Sequence, residues 1–229
     1  MMYKKLIYVI VCSGFLGACQ QQESNISSSN IVTTTQESTS LASKSVLQKG
    51  EHYYFIQGKY DKIPIVNKKY PVSKDYNPGE DAVAKAALLK LQEAMRKEGF
   101  AIASGYSGFR DYNLQSYFYN KYVETDGKEK ADTYSARPGY SEHQLGLVFD
   151  LWEDEQGTLL EEPVASKWLA EHAHRYGFIV RYTPGKEYST GYQAESWHIR
   201  YIGQEAEEIY RSKLSLEEYF GVEGGNYRD

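Results

Sequence analysis

The amino-acid sequence changes character near Val46, and this change limits where a fold can form. Residues 20–45 are rich in Ser, Thr, Gln and Asn, whereas nearly all of the Trp, Tyr and Phe residues follow Val46. A segment with so little apolar surface cannot offset the entropy that it would lose on ordering. The sequence therefore predicts a disordered tether over residues 19–45 and one folded domain over residues 46–229, a length typical of a single domain.

The first eighteen residues predict an export signal. Lys4 and Lys5 precede an apolar run over residues 6–16, which is too short for a transmembrane helix. The run ends in Leu-Gly-Ala-Cys, which resembles the lipobox of bacterial lipoproteins, where cleavage precedes a cysteine that receives a diacylglyceryl group. We therefore expect residues 1–18 to be a lipoprotein signal peptide and Cys19 to be lipidated. A plain secretory signal with an incidental cysteine is the alternative.

The mature chain would keep one cysteine and an acidic charge. Cys12 is removed with the signal, so no disulfide and no thiol chemistry would remain beside the lipidated Cys19. Loss of Lys4 and Lys5 moves the formal net charge from −5 to −7. An acidic surface argues against nucleic acid as a partner. Membrane attachment would then depend on the lipid rather than on a basic patch. We expect a monomer on the outer face of the cytoplasmic membrane.

Helical and strand patterns alternate irregularly through the folded domain. A helix is predicted to begin at Asn77–Glu80 and to end at Gly99, and three more are predicted in NLQSYFYNKYV, VASKWLAEHAHRYG and QEAEEIYRSKL. Strands are predicted in HYYFIQG, KIPIVNKKY, FAIASGYS, LGLVFDLW, FIVRYT and SWHIRYI. The segment TYSARPGYSEH is predicted to be a loop. Several connections are too short for a crossover helix. The predicted fold class is therefore α+β, with a mainly antiparallel sheet flanked by helices.

Five histidines allow every candidate metal ligand to be considered. A catalytic zinc site takes three protein ligands and leaves one position for water. His52 has no histidine or acidic partner at ligand spacing. His172 and His174 are two residues apart on a predicted helix, so they do not share a face. They are expected to lie on a solvated or boundary face of that helix. His143 and His198 remain, and each lies at or in an apolar, strand-like segment.

Asp150 lies in the middle of the apolar strand LGLVFDLW. Alternation along a strand places it on one face with Val148 and Trp152, opposite Leu147 and Phe149. A buried carboxylate is costly unless it is paired or bound to a metal. Asp150 therefore completes a candidate metal site with the two remaining histidines. A buried Asp that accepts backbone hydrogen bonds, beside two core histidines, is the alternative.

Glu195 precedes the candidate ligand His198 by three residues. Residues i and i+3 of a regular strand point to opposite faces, so the chain must bend for both side chains to share a pocket. Gly191, in STGYQA, gives room for that bend. A carboxylate beside zinc-bound water can accept its proton and deliver it to a departing amine. A surface glutamate remains equally compatible with the spacing.

Two motifs carry a family resemblance. SEHQLGLVFD and ESWH resemble the paired motifs S-x-H-x-x-G-x-x-x-D and E-x-W-H of the D-alanyl-D-alanine carboxypeptidase (VanY-type) family of zinc peptidases. The similarity also covers IVNKKYPVSKDYNPGE, SGFRDYNLQ, YSARPGYSEHQ and RYIG. The resemblance implies a Hedgehog/DD-peptidase-like fold with one Zn²⁺ held by His143, Asp150 and His198. It also implies that Glu195 is the general base.

The same resemblance implies further site residues and a substrate. Arg110 would lie near the scissile carbonyl or the substrate carboxylate, where it would serve catalysis and binding, and Gln115 and Ser141 would contact substrate. The function implied is removal of the C-terminal D-alanine from peptidoglycan stem peptides at the cell wall. Similarity to streptococcal members favours L,D-carboxypeptidase action on tetrapeptides. The alternatives are D,D-carboxypeptidase action on pentapeptides, or a metal-dependent wall-binding domain without hydrolysis, which the presence of Glu195 argues against.

Overall fold

A computed structural model describes residues 46–228, and all strand pairs in this range are antiparallel. A small sheet contains β1 (Leu47–Lys49), β2 (Tyr54–Gln57) and β3 (Lys62–Ile65) in that order. A larger sheet contains β4 (Tyr106–Ser107), β5 (Val148–Leu151), β6 (Phe178–Tyr182) and β7 (Glu195–Tyr201), in the order β4-β5-β7-β6. The α+β prediction with a mainly antiparallel sheet is confirmed.

Seven α-helices lie within residues 46–228. They are α1 (Ala82–Lys97), α2 (Tyr112–Asp126), α3 (Lys128–Tyr134), α4 (Pro163–His172), α5 (Glu187–Thr190), α6 (Ala206–Ser212) and α7 (Leu216–Phe220). Short 3-10 helices cover Glu142–Leu145, Ala173–Tyr176 and Gly203–Glu205. None of the helices in this range is long and apolar enough to cross a membrane. The predicted signal peptide, Cys19 and the tether lie outside the described residues.

Helix boundaries follow capping chemistry more closely than apolar spacing. α1 begins after Asp81, whose carboxylate accepts hydrogen bonds from the backbone N–H groups of Val83 and Ala84, so the predicted start at residues 77–80 was too early. α4 passes into a 3-10 helix that Gly177 ends with a φ of 81°, which glycine adopts without strain. The predicted end of that helical segment at Gly177 is confirmed.

Three helices and two strands differ from the sequence-based expectations, and one of the strands, β1, was not predicted. α5 and α7 were not predicted because four and five residues are too few for a clear helical period, and α3 was not predicted because Ala131 is its one buried apolar residue. The end of α3 occupies part of the predicted loop TYSARPGYSEH. The predicted strand FAIASGYS pairs only at Tyr106–Ser107. Ser104 interrupts it, since its N–H and hydroxyl groups both donate to the Glu155 carboxylate.

The larger sheet has one apolar face and one polar face. Side chains on the apolar face pack against α1 and α4, and they include Phe149, Leu151, Phe178 and Ile199. The opposite face carries Asp150 and His198, which lie directly across from each other in the β5–β7 ladder. Val148 pairs with Arg200 on the same face, which confirms the predicted grouping of Val148 with Asp150. The candidate site therefore lies on the side of the sheet away from the helical core.

A second apolar cluster joins the small sheet to the C-terminal helices. It contains Ile56 and Ile63 from the small sheet, Ile209 from α6, and Leu216 and Phe220 from α7. Ser215 begins α7 with a capping box, in which its hydroxyl accepts from the Glu218 N–H and the Glu218 carboxylate accepts from the Ser215 N–H. This arrangement holds α7 against the polar face of the larger sheet, where α7 supplies one buried carboxylate described below.

Candidate active site

His143, Asp150 and His198 bring one ligand atom each to within 4.8 Å of one another. Nε2 of His143 is 3.2 Å from Oδ2 of Asp150, and Nδ1 of His198 is 3.1 Å from Oδ1 of Asp150. Ligands at about 2.0–2.1 Å from a tetrahedral zinc ion are separated by roughly 3.3 Å. Each histidine nitrogen therefore lies at about this separation from the Asp150 carboxylate, on opposite oxygens of it, and the three residues could hold one ion.

Unpartnered polar atoms provide an independent test of whether these residues fit a metal ion. Nε2 of His143 and Oδ1 of Asp150 are buried and have no hydrogen-bond partner within residues 46–228. Buried polar atoms are nearly always satisfied, because leaving them without a partner is costly. Nδ1–H of His143 donates to the Gly108 carbonyl at 2.7 Å, which directs Nε2 toward Asp150. Two imidazoles and a carboxylate are also a ligand set that catalytic zinc uses, so the residues fit.

Glu195 shares the site because β7 contains a bulge. Val180 pairs with Ile199 and Tyr182 pairs with Glu195, so β7 has two more residues than β6 over this interval. The bulge places Oε2 of Glu195 at 3.4 Å from Nδ1 of His198. The bend predicted at Glu195 is confirmed, and Gly191, which was expected to give room for it, ends α5. Burial raises the pKa of the Glu195 carboxyl to about 7, a value that suits a group that accepts and returns a proton.

Arg110, Gln115 and Ser141 lie beside the metal ligands. Nη2 of Arg110 donates to Oδ2 of Asp150 at 3.3 Å, and Nε of Arg110 is buried without a partner in the described range. The N-cap of α2 is Asp111, so Arg110 does not cap that helix. Nε2 of Gln115 donates to the Ala136 carbonyl at 2.7 Å, and Ser141 Oγ accepts from the His143 N–H.

One cleft contains all seven of these side chains. Its volume is about 290 Å³, and its walls also include Tyr122, Tyr134, Tyr182, Tyr192 and Trp197. Unpartnered Oε1 of Gln115 and Nε of Arg110 belong to side chains that line this cleft. The side chains around the cleft therefore include an acceptor and a charged donor that lack partners among the described residues. Their contacts with substrate stay predictions.

The other three histidines lie away from this cleft. His52 stacks on Tyr76 with ring centroids 5.1 Å apart. The His172 ring stacks on Trp168, and its Nδ1–H donates to the carbonyl of the same tryptophan. His174 stacks on Tyr210 and pairs with Glu207 at 3.1 Å. None of the three belongs to a group of three possible metal ligands among the described residues.

Glu142 is the principal residue that sequence reasoning missed. Its carboxylate is buried, and one oxygen accepts from Nε of Arg181 and from Nη1 of Arg200. Burial alone would raise the pKa of Glu142, but the two guanidiniums outweigh it and hold that pKa well below its usual value. A signal was present: Arg181 and Arg200 each interrupt an apolar strand, and buried cations require partners. A search for their counter-ions would have pointed to an acidic residue in the site.

The chain matches the family model named VanY, described as D-alanyl-D-alanine carboxypeptidase, over residues 79–204. This range contains every candidate ligand, Glu195, Arg110, Gln115 and Ser141. The chain belongs to the VanY family. A D-alanyl-D-alanine carboxypeptidase of Enterococcus faecalis is 36% identical over 177 residues, which cover 69% of this chain and 65% of that relative.

Solved structures include L,D- and D,D-specific relatives of this VanY family member. The L,D-carboxypeptidase DacB from Streptococcus pneumoniae is 57% identical, with a TM-score of 0.78, and the match covers 81% of this chain and all of that one. A variant of the vancomycin resistance D,D-pentapeptidase VanY from a VanB-type cassette, in complex with Zn(II), is 35% identical with a TM-score of 0.59. That match covers 68% of this chain and 96% of the other.

Proposed function

We propose that the protein is a zinc-dependent carboxypeptidase that removes the C-terminal D-alanine from peptidoglycan stem peptides. The observation that carries this proposal is the convergence of the His143, Asp150 and His198 ligand atoms beside Glu195 in one cleft. The family and the relative solved with Zn(II) support zinc as the ion. A purely structural zinc site needs no carboxylate of raised pKa beside its ligands, so Glu195 argues against a wall-binding domain without hydrolysis.

The chain's own groups divide the work of amide hydrolysis. Zinc held by the three ligands would supply a Lewis acid and lower the pKa of a water molecule to about 7. Glu195 would accept the proton of the attacking water and return it to the nitrogen of the departing D-alanine. The Arg110 guanidinium, which already lies 3.3 Å from Asp150, would stabilise negative charge on the substrate.

We infer that the enzyme acts on tetrapeptides as an L,D-carboxypeptidase. The identity to the pneumococcal L,D-carboxypeptidase is 57%, against 35% for the D,D-pentapeptidase, and the match covers all of the L,D-specific chain. The alternative is D,D-carboxypeptidase action on pentapeptides, an activity that the relative from Enterococcus faecalis carries in its name. Gln115 and Ser141 would contact the substrate in either case, since both line the cleft.

We also propose that the enzyme works at the outer face of the cytoplasmic membrane. The apolar segment after Lys4 and Lys5, the Leu-Gly-Ala-Cys motif and the polar tether support a lipid anchor on Cys19. A tether of this length would let the domain reach stem peptides of the wall. Metabolic labelling with a fatty-acid analogue should label the full chain and leave a Cys19→Ala variant unlabelled.

Purified protein is expected to release D-alanine from a disaccharide tetrapeptide faster than from the matching pentapeptide. A chelator should abolish both activities, and added Zn²⁺ should restore them, because the ligands converge on a single ion. Chromatography of the muropeptides with mass detection measures each product. Faster cleavage of the pentapeptide would reverse the inferred specificity, and hydrolysis that survives complete zinc removal would overturn the proposed function.

Zinc binding is expected to release about one proton from His198 at pH 7. Burial and the Arg110 guanidinium lower the pKa of His143 to about 4. At His198 burial acts in the same direction, but the neighbouring carboxylates of Asp150 and Glu142 outweigh it and raise the pKa to about 9. The proton on His198 therefore competes with zinc below pH 9. Apparent zinc affinity should rise up to about tenfold per pH unit toward pH 9 and level off above it.

Calorimetric zinc titrations in two buffers of different ionisation enthalpy measure this proton. A His172→Asn variant is the matched control, because His172 stacks on Trp168 outside the cleft, and it should release the same number of protons as the unmodified protein. Zinc binding at pH 7 with no proton release would contradict the expected charge state of His198.

A further inference from the structure

We propose that Glu142 is a positioning residue that holds the His198 imidazole with Nδ1 directed at the metal. The proposal deepens the proposed function and rests on it, since it concerns a ligand of the same metal centre. Glu142 lies between Ser141 and His143 and has a side chain that is 1% exposed. Although Glu142 is among the residues around the cleft, its side chain is too buried to contact substrate and is placed to act on the ligands.

The contact between Glu142 and His198 joins two atoms that have no other partner. Oε2 of Glu142 is 3.8 Å from Nε2 of His198. Both atoms are buried, and neither has a hydrogen-bond partner within residues 46–228. The distance exceeds a hydrogen bond by less than 1 Å. The other ring nitrogen, Nδ1, faces Asp150 at 3.1 Å, so the two nitrogens of this ring face two different carboxylates.

An ionised carboxylate beside Nε2 determines which nitrogen of His198 can bind a metal. A neutral imidazole carries one proton and offers a lone pair at the other nitrogen. Because an ionised carboxylate can only accept, Glu142 favours the proton at Nε2 and leaves Nδ1 free for the metal. The Gly108 carbonyl acts on His143 in the same sense, since it accepts from Nδ1–H and leaves Nε2 free. Each histidine ligand thus has an acceptor on the side away from the centre.

Two arginines hold the Glu142 carboxylate in place. Its Oε1 accepts from Nε of Arg181 at 3.0 Å and from Nη1 of Arg200 at 2.8 Å. The other two nitrogens of Arg181 donate to the carboxylate of Glu217 on α7, at 2.9 and 2.6 Å. Two buried guanidiniums thus balance two buried carboxylates, which such charges require. Because Oε1 is held by two donors, Oε2 is left to face His198.

A Glu142→Gln variant tests the proposal without changing the size of the side chain. If the amide oxygen stays with the arginines, the amide N–H₂ faces Nε2 of His198 and favours the opposite tautomer. Zinc affinity, measured by competition with a chromophoric chelator, is expected to fall by about 10–100-fold. The visible spectrum of the Co²⁺-substituted protein should change as well, because the ligand orientation changes.

Glu217→Gln is the matched control. It removes the same charge from the same buried network, but Glu217 contacts Arg181 and Asn67 and does not contact His198. Its zinc affinity should stay within about twofold of that of the unmodified protein, and its Co²⁺ spectrum should resemble that of the unmodified protein. Both results are expected whatever its thermal stability. The proposal is overturned if Glu142→Gln binds zinc within about twofold of the unmodified protein, or if Glu217→Gln loses as much affinity. Failure of the unmodified protein to bind zinc would instead overturn the proposed function.

A measurement on the unmodified protein covers the case in which Glu142→Gln does not fold. Nitrogen NMR of the zinc-loaded, ¹⁵N-histidine-labelled protein can assign His198 through its contact with the Tyr182 ring, 4.7 Å away. We expect a metal-bound Nδ1 and a slowly exchanging proton on Nε2. A metal-bound Nε2, or an Nε2 proton that exchanges as fast as that of the partly exposed His52, would overturn the proposal.

Discussion

Replacement of Glu195 by Gln is expected to lower kcat by about 10²–10⁴-fold while zinc stays bound. The amide has nearly the same size as the carboxylate, so the buried packing at the β7 bulge should survive. An amide cannot accept the proton of the attacking water, however, and no other carboxylate that lines the cleft is free to do so. Asp150 faces both histidines, and Glu142 is held by two arginines.

Release of D-alanine from the tetrapeptide, measured beside zinc content, separates the loss of proton transfer from the loss of metal. Glu171→Gln is the matched control, because Glu171 is an exposed glutamate on α4 outside the cleft, and it should retain the full rate. A Glu195→Gln enzyme that holds one zinc ion and hydrolyses at the unmodified rate would show that another group accepts the proton.

Asp150→Asn is expected to abolish hydrolysis and to weaken zinc binding by more than about 100-fold, since it replaces an anionic direct ligand with a neutral amide. The substitution keeps the side-chain volume but removes the negative charge that faces His143, His198 and Arg110. Arg110 would then lie beside the metal centre without its counter-ion, and its positive charge would oppose the binding of a cation.

Chelator competition and metal analysis after gel filtration measure this loss. Asp154→Asn serves as the control, because Asp154 lies on the exposed turn after β5, where its carboxylate accepts from the N–H groups of Gln156 and Thr158. That variant should bind zinc as the unmodified protein does. Retention of zinc at unchanged affinity in Asp150→Asn would remove Asp150 from the ligand set.

Local patterns in the sequence predicted much of the fold. The alternation in LGLVFDLW predicted which side of β5 carries Asp150, and the β5–β7 ladder confirms it. The helical spacing after Pro78 predicted α1, although the Asp81 cap moved its start. α5 and α7 were missed because four and five residues are too few to show a period, and α3 was missed because it buries a single apolar residue.

The candidate site was predicted in its residue types but not in its orientation. His143, Asp150, His198 and Glu195 were selected from the sequence because few of the five histidines had acidic neighbours at usable spacing. The family resemblance added Arg110, and the structure places its guanidinium on Asp150. The spacing indicated that the chain must bend for Glu195 and His198 to share a pocket, but not that a bulge of two residues in β7, opposite β6, would supply the bend.

The sequence, with its family resemblance, predicted the candidate metal ligands, and it determined the sheet face on which Asp150 lies, because side-chain type and strand alternation are local properties. Only the tertiary structure decided which nitrogen of each histidine faces the candidate metal site and which carboxylate forms ion pairs with the buried arginines. Arg181 and Arg200 reach Glu142 across 39 and 58 residues of chain. Ring orientation and the choice of counter-ion depend on such contacts between distant segments, and these exist only after the strands and α7 have packed together.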